Sequence, residues 1–273
     1  MTGAATSMRA FRVAYDGRPF FGFQRQPAVK TVEDTLLDAV RSLGVAEREG
    51  LPPGYAAAGR TDRGVSALSQ TVSFRCPAWC TPRALNSELP GTVRTWAHAD
   101  VPDGFHARHD AVRREYTYDL YAPDVDDERV RLGLAALCGE HDVHNLTTDT
   151  ANTVRTVGGS VERDGDFLVF TIRGAGFARQ QVRRTVSLVK MVGDGAPLAA
   201  VERVLAPGTL RGPAGIPAAP PEPLLLTGVD YPDCSFTVDE AAAESAREIF
   251  AGKAVESRVR ARVAERIRDG VDG

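Results

Sequence analysis

The sequence predicts an α+β fold with mostly antiparallel sheets, arranged as two successive halves followed by a helical tail. Three observations carry this. Segments that alternate apolar and polar residues take turns with segments carrying apolar residues at helical spacing. The rhythm strand, helix, two strands, helix, strand occurs twice, which favours antiparallel pairing over a doubly wound parallel sheet. After Pro232 the composition shifts to alanine, glutamate and arginine.

Arg9 to Tyr15 opens the first half as a strand, with Phe11, Val13 and Tyr15 on one face. Thr31 to Leu43 is a helix: Thr31-x-x-Asp34 is a cap pattern, and Leu36, Leu37, Val40 and Leu43 share a face. Strands flank Asp62, one in the small apolar run Tyr55 to Ala58 and one in the alternating run Ser69 to Phe74. Thr81-Pro82 starts a helix that ends near Leu89, with proline in the tolerated first position. Val93 to Ala99 closes the half as a strand. In the second half Glu115 to Tyr121 alternates aromatic and polar residues, and Asp126 to Cys138 is an amphipathic helix. Val154 to Arg163 and Phe167 to Arg173 form a hairpin around Asp164-Gly165-Asp166. Ala178 to Val192 is helical and Leu224 to Tyr231 is the last strand. Pro207, Pro213, Pro217, Pro220, Pro221 and Pro223 mark a long irregular loop before it. Thr237 to Asp269 reads as a long exposed helix. The boundaries expected are residues 1–108, 109–232 and a tail of 233–273.

With 273 residues, 43% of them hydrophobic and 25% charged, the chain has the composition of a globular protein with a sizeable core. No run approaches the ~20 apolar residues of a membrane span, and Met1 to Ala10 lacks the apolar centre of a signal peptide. A cytoplasmic protein is expected. The net charge of −3 argues against indiscriminate binding of polyanions but leaves room for a local basic groove. Of 33 basic residues only Lys30, Lys190 and Lys253 are lysine; arginine suits bidentate phosphate contacts, although GC-rich coding explains the same skew. Cys76-Pro-Ala-Trp-Cys80 has no second matching pair, and His106-x-x-His109 and His141-x-x-His144 are isolated, so no metal site is expected. Gly158-Gly159 and Gly174-Ala-Gly176 are not a dinucleotide fingerprint, since neither opens a helix after a parallel strand with the required third glycine.

Gly59-Arg60-Thr61-Asp62-Arg63-Gly64-Val65-Ser66-Ala67-Leu68 places a lone carboxylate on a turn between apolar segments, with arginines on both sides. Neighbouring cations favour the charged carboxylate, which suits a nucleophile or a base. The alternative is a turn aspartate that only bonds the next backbone amides.

Gly59-Arg60-Thr61-Asp62-x-Gly64-Val65 resembles the signature of the tRNA pseudouridine synthase A family. Further blocks follow in family order: Tyr15-Asp16-Gly17-x-x-Phe20-x-Gly22-Phe23-Gln24-Arg25-Gln26 with Thr31-Val32-Glu33, then Leu85-Asn86-x-x-Leu89-Pro90 and Phe105-His106-Ala107-Arg108. Arg114-Glu115-Tyr116-Thr117-Tyr118, Gly174-x-Gly176-Phe177 with Val182-Arg183, and Pro223-Leu224-x-Leu226 with Val229-Asp230-Tyr231 complete the set. The blocks span residues 9 to 232 and leave the tail outside.

The resemblance implies two ferredoxin-like (RRM-like) domains flanking a central RNA-binding cleft. It implies isomerisation of uridine to pseudouridine in the anticodon stem-loop of tRNA, at positions 38 to 40, by a homodimer. Such an isomerisation calls for no cofactor. It makes Asp62 the catalytic carboxylate, acting as nucleophile or by stabilising positive charge as the glycosidic bond breaks. The target nucleotide must be flipped out of the stack, and Tyr116 stands where the family has the tyrosine that stacks on it, with removal of a proton as a possible second role. Arg183 matches the basic residue paired with the aspartate, and Arg179 and Lys190 fall on the same helical face in the sequence pattern. Arg60 is a candidate for filling the gap left by the flipped base or for touching phosphate; Arg25, Arg108 and Arg179 are weaker RNA-contact candidates. The sequence departs from the family at Ser66 (usually histidine), Arg63 (commonly a small residue), Phe23 (usually tryptophan) and Gln180-Gln181. Two other readings stay open: a non-catalytic RNA-binding protein on the same fold, and a pseudouridine synthase for another RNA site.

Overall fold

The computed structural model describes residues 5–47, 49–210, 212 and 215–271. Elements follow in the order β1 (Thr6–Tyr15), α1 (Val32–Ser42), β2 (Ala56–Ala57), β3 (Ser66–Pro77), α2 (Pro82–Glu88) and β4 (Val93–Asp100). Then come β5 (Arg113–Tyr121), α3 (Asp127–Ala135), β6 (Gly139–Asp142), a 3-10 turn (His144–Leu146), β7 (Val154–Asp164), β8 (Phe167–Gly174), α4 (Gln181–Gly193) and α5 (Ala199–Leu205). The chain closes with β9 (Leu224–Asp230), β10 (Thr237–Val238) and α6 (Glu240–Val271).

The strands form one sheet in the order β10-β4-β1-β3-β9-β5-β8-β7-β6, with β2 paired to β3 off this path. All pairings are antiparallel except β3 with β9, where Ser66 meets Leu225 and Ala67 meets Leu226. That short parallel seam joins the two halves. Leu226 also pairs with Tyr116 of β5, so Ala67, Leu226 and Tyr116 lie abreast on three neighbouring strands.

Local chemistry explains the helices that matter. Thr31 caps α1: its Oγ1 accepts from the Asp34 N–H at 3.2 Å and donates to Asp34 Oδ2 at 2.6 Å. The buried face of α1, with Leu36, Leu37 and Val40, packs into a core with Phe11, Val13, Tyr15 and Phe74. A second core gathers Tyr118, Phe170 and Ile172 with Val130 and Leu134 of α3, and with Val182, Val186 and Val189 of α4.

The expected elements are present with small shifts in their ends. The strand before Asp62 shrinks to Ala56–Ala57, squeezed between Pro52-Pro53-Gly54 and Gly59. β6, α5 and β10 were not expected. β6 is a short edge of polar, exposed residues and has no alternation to betray it, whereas Val201, Val204 and Leu205 of α5 do carry helical spacing. From 206 to 223 the described residues hold no strand or α-helix, as the prolines predict; Pro213 lies outside the described residues. Arg179 does not share the face of α4 with Arg183 and Lys190, because the helix starts only at Gln181, after Gln180 turns the chain with φ of +62°. No helix among the described residues is long and apolar enough to cross a membrane.

Candidate active site

Asp62 sits on a loop held by main chain on two sides. The loop after β1 lies so close that a Cβ on Gly17 would be 2.0 Å from the Val65 carbonyl oxygen, and one on Gly22 (φ +95°) 2.8 Å from that of Thr61. Only glycine permits such approach. Hydrogen bonds fasten the contact: Phe23 N–H to the Thr61 carbonyl at 3.1 Å, Gly17 N–H to Ser66 Oγ at 3.0 Å, and the Tyr15 and Thr61 hydroxyls with each other at 2.8 Å. On the other side Gly64 (φ +83°) faces Pro221.

Across this loop stands Arg183 of α4, whose Nη1 lies 3.2 Å from Asp62 Oδ2. Its Nε donates to the Ala219 carbonyl at 2.6 Å, and its own carbonyl accepts from the Ala219 N–H at 3.2 Å. The guanidinium is thereby oriented before any substrate arrives. Its side chain is 12% exposed and that of Asp62 29%, so the carboxylate faces an opening while its partner is sunk behind it. The sequence neighbours do not fill this role. Arg63 lies over the Phe21 ring, 4.3 Å from its centroid, and Arg60 is exposed with no side-chain ion pair among the described residues. The expectation that Arg60 and Arg63 supply the charges beside Asp62 is therefore corrected: the counter-ion is Arg183, 121 residues further on, the residue that the resemblance pairs with the aspartate.

Tyr116 joins the pair from β5. Its half-buried ring meets Phe177 edge-on at 5.4 Å between centroids. Burial pushes its hydroxyl up to about 12, the Asp62 charge acts in the same direction, and Arg114 opposes them. The phenol is therefore neutral across the physiological range. Arg114 stands in the block that resembles the family, but no role attaches to it from the sequence. Its guanidinium donates to the carbonyls of Ala58, Arg108, Ala111 and Ala175, tying the strand before the Asp62 loop to the chain linking the two halves. Burial lowers its pKa. Its place next to Glu115 and Tyr116 in a strand gave no hint that it serves four carbonyls.

The other cations make contacts of their own and none pairs with Asp62 among the described residues. Arg108 is exposed and touches the assembly through its carbonyl. Arg179 is exposed, with its N–H on Asp149. Arg25 lies against Glu33, Nε to Oε2 at 3.9 Å. Lys190 pairs with Asp194 at 2.6 Å. Among the described residues no group of three or more His, Cys, Asp or Glu side chains is placed to hold a metal ion. A groove of about 830 Å3 lies elsewhere, between the sheet and α6, and none of Asp62, Tyr116 and Arg183 lines it.

Comparison with known proteins fits this geometry. The family described as tRNA pseudouridine synthase matches residues 134–232, which include Arg183. The tRNA pseudouridine synthase A of Haloarcula marismortui is 57% identical over 97% of this chain and 100% of its own length. That of Natronomonas pharaonis is 56% identical over 94% and 97%, and that of Methanothrix thermoacetophila 40% identical over 84% and 85%. With an aspartate, an arginine and a tyrosine assembled at the seam of the sheet and relatives matched over nearly their whole length, the chain belongs to the tRNA pseudouridine synthase A family, isomerases that turn uridine into pseudouridine in tRNA.

Proposed function

We propose that this chain converts uridine to pseudouridine in the anticodon stem-loop of tRNA, at positions 38, 39 and 40, with Asp62 as the catalytic carboxylate. The observation that carries the reading is the Asp62–Arg183 contact beside Tyr116, which a protein that only binds RNA has no need to build.

The reaction is an isomerisation. The C1′–N1 bond breaks, the base turns, C1′ bonds to C5, C5 gives up its proton and N1 acquires one. Atoms and electrons balance without a co-reactant. Asp62 answers the positive charge that develops as the glycosidic bond breaks, either by attack or by electrostatic stabilisation. Arg183 holds the carboxylate in one orientation, and the neutral Tyr116 ring offers the flipped base a flat partner. Arg60, exposed and free of ion pairs among the described residues, is suited to the space the base leaves or to a phosphate. Arg25, Arg108 and Arg179, all exposed, are weaker candidates for backbone contacts. Shape and backbone readout suits an enzyme with three adjacent targets.

The same reading divides the chain at residue 108 into two ferredoxin-like domains, with 233–273 as a tail. Its support is the strand order. β4-β1-β3-β2 in the first half and β9-β5-β8-β7 in the second are the same arrangement of a βαββαβ unit. A cytoplasmic homodimer acting on one tRNA completes it.

The test is pseudouridine formation on an unmodified tRNA transcript, mapped by position, for the wild type and Asp62→Ala. Product in the anticodon arm that vanishes in the variant is the expected result. Product elsewhere moves the substrate, and tight tRNA binding without product would mean a binding protein.

A further inference from the structure

α6 lies outside every motif block that resembles the family, yet its first half touches the scaffold of the Asp62 loop. The helix is fastened at its base, where β10 pairs with β4 and Asp239 Oδ1 accepts from the Ala242 N–H at 3.1 Å. Beyond that it rests on the sheet through small side chains: Ala242, Ala243 and Ala246 are its buried residues. The groove between helix and sheet runs under Phe250, Lys253 and Ala254 and is floored by Leu68, Trp96 and Leu225. Leu68 and Leu225 alternate along their strands with the core residues Ala67 and Leu226, and Trp96 with the buried Thr95 and Ala97, so these floor residues point to the sheet face turned away from the core. Along Phe250, Lys253 and Ala254 the helix thus leaves a groove rather than packing closely on the sheet.

A charge contact spans the groove. Lys253 Nζ reaches over the groove to Asp16 Oδ2 at 3.3 Å. The Asp16 side chain is 8% exposed and already accepts from Arg18, whose Nε lies at 2.9 Å and Nη2 at 2.8 Å. Burial alone would raise its pKa, but the Arg18 hydrogen bonds, with help from Lys253, hold it down at about 2. Asp16 is the residue before Gly17, the glycine whose backbone lies against Val65 and bonds Ser66, at the foot of the Asp62 loop.

We propose that the Lys253–Asp16 ion pair makes α6 a brace for the catalytic loop, with Asp16 and Lys253 as positioning residues for Asp62. Neither touches the reacting atoms. Lys253 fixes the Asp16 carboxylate from the far side of the groove, Asp16 fixes the turn at Gly17, and Gly17 sets the height of Val65 and hence of Asp62. The role of Asp62 rests on the function proposed above; the mechanical link from helix to loop does not.

Two variants separate charge from packing. Lys253→Met keeps the apolar stem over the groove and removes the ammonium, while Lys253→Arg keeps a cation. Amide exchange of the segment 59–68 and steady-state pseudouridine formation are measured on the full chain. Lys253→Met is expected to speed exchange of that segment and to lower kcat about fivefold with KM within about twofold. Lys253→Arg restores both. Wild-type exchange and kcat in Lys253→Met, or a loss that arginine does not rescue, would overturn the brace. If the wild type forms no pseudouridine, the functional reading fails, and the exchange measurement still decides the link.

Discussion

Replacing Gly17 by alanine asks how tightly the position of Asp62 is set. The new Cβ would fall 2.0 Å from the Val65 carbonyl oxygen, 2.4 Å from its carbonyl carbon and 3.0 Å from that of Gly64. All three obstacles are main chain, so no rotamer change relieves them. Ordinary contact starts at 3.4 Å, and one of the two backbones must therefore retreat by about 1.4 Å. The retreat also strains the bond from the Gly17 N–H to Ser66 Oγ. A misplacement of ~1 Å at a catalytic group costs on the order of 100-fold in rate, or about 2.7 kcal/mol. Single-turnover pseudouridine formation with protein in excess reads this directly, and thermal unfolding shows whether the variant is folded. Gly158→Ala, at a glycine with nothing within 4 Å of its Cβ, serves as the control and is expected to match the wild type. A folded Gly17→Ala protein within threefold of the wild-type rate would refute the idea that this backbone contact positions Asp62.

Arg183→Met removes the counter-ion of Asp62 and the clamp on Ala219; because the carboxylate is partly exposed, the loss is set at about 2 kcal/mol, a fall of about 30-fold in single-turnover rate. Arg183→Lys recovers only part, since a lysine lacks the Nε that holds Ala219, and full recovery would count against the orienting role. Asp16 supplies a pH test. Its folded pKa of about 2 lies below the ordinary 3.8, so its contribution, about 2 kcal/mol, is complete above pH ~4 and disappears as pH falls through ~2. Urea unfolding of wild type and Asp16→Asn should therefore differ most near neutrality and converge in acid; a difference that stays constant with pH would contradict the assignment.

The elements that carry their own local signal were legible in the sequence. α1 shows its cap and its stripe, the β7–β8 hairpin shows its Asp-Gly-Asp turn, and β5 shows its alternation. Asp62, Tyr116 and Arg183 were also named beforehand, but by resemblance to a family rather than by local pattern; read alone, Tyr116 is a strand aromatic. Long-range relations escaped the local pattern, although the resemblance already pairs Arg183 with Asp62. Nothing near Asp62 says that its cation comes from α4, since Arg60 and Arg63 are nearer in the chain and point elsewhere. The service of Arg114 to four carbonyls depends on loops from residues 58, 108, 111 and 175 converging. The glycines were visible, yet which of them face main chain emerged only in three dimensions: Gly17 does, and Gly59, inside the signature itself, has open space.

The placement of the site at the β3–β9 seam has a mechanical consequence. Asp62 precedes β3 by four residues, Tyr116 is on β5, and Arg183 leads from α4 to the segment entering β9. The three side chains thus meet where the two halves share backbone hydrogen bonds and where Leu226 pairs on both sides, with Ala67 and with Tyr116. Opening a hinge between the halves would break that ladder, and each exposed backbone pair costs on the order of 1 kcal/mol or more. The sheet fixes Tyr116, and the main-chain contacts of Gly17 and Phe23 fix the Asp62 loop beside it. Any motion that admits a flipped nucleotide belongs to the loops above the seam, around residues 108–111 and 216–222. Those loops are tied by replaceable contacts, Arg114 to carbonyls and Arg183 to Ala219, rather than by strand pairing. A rigid floor with adjustable walls suits the proposed reading, in which one carboxylate serves three successive uridines: the RNA would shift across the site while the carboxylate and its arginine stay in place.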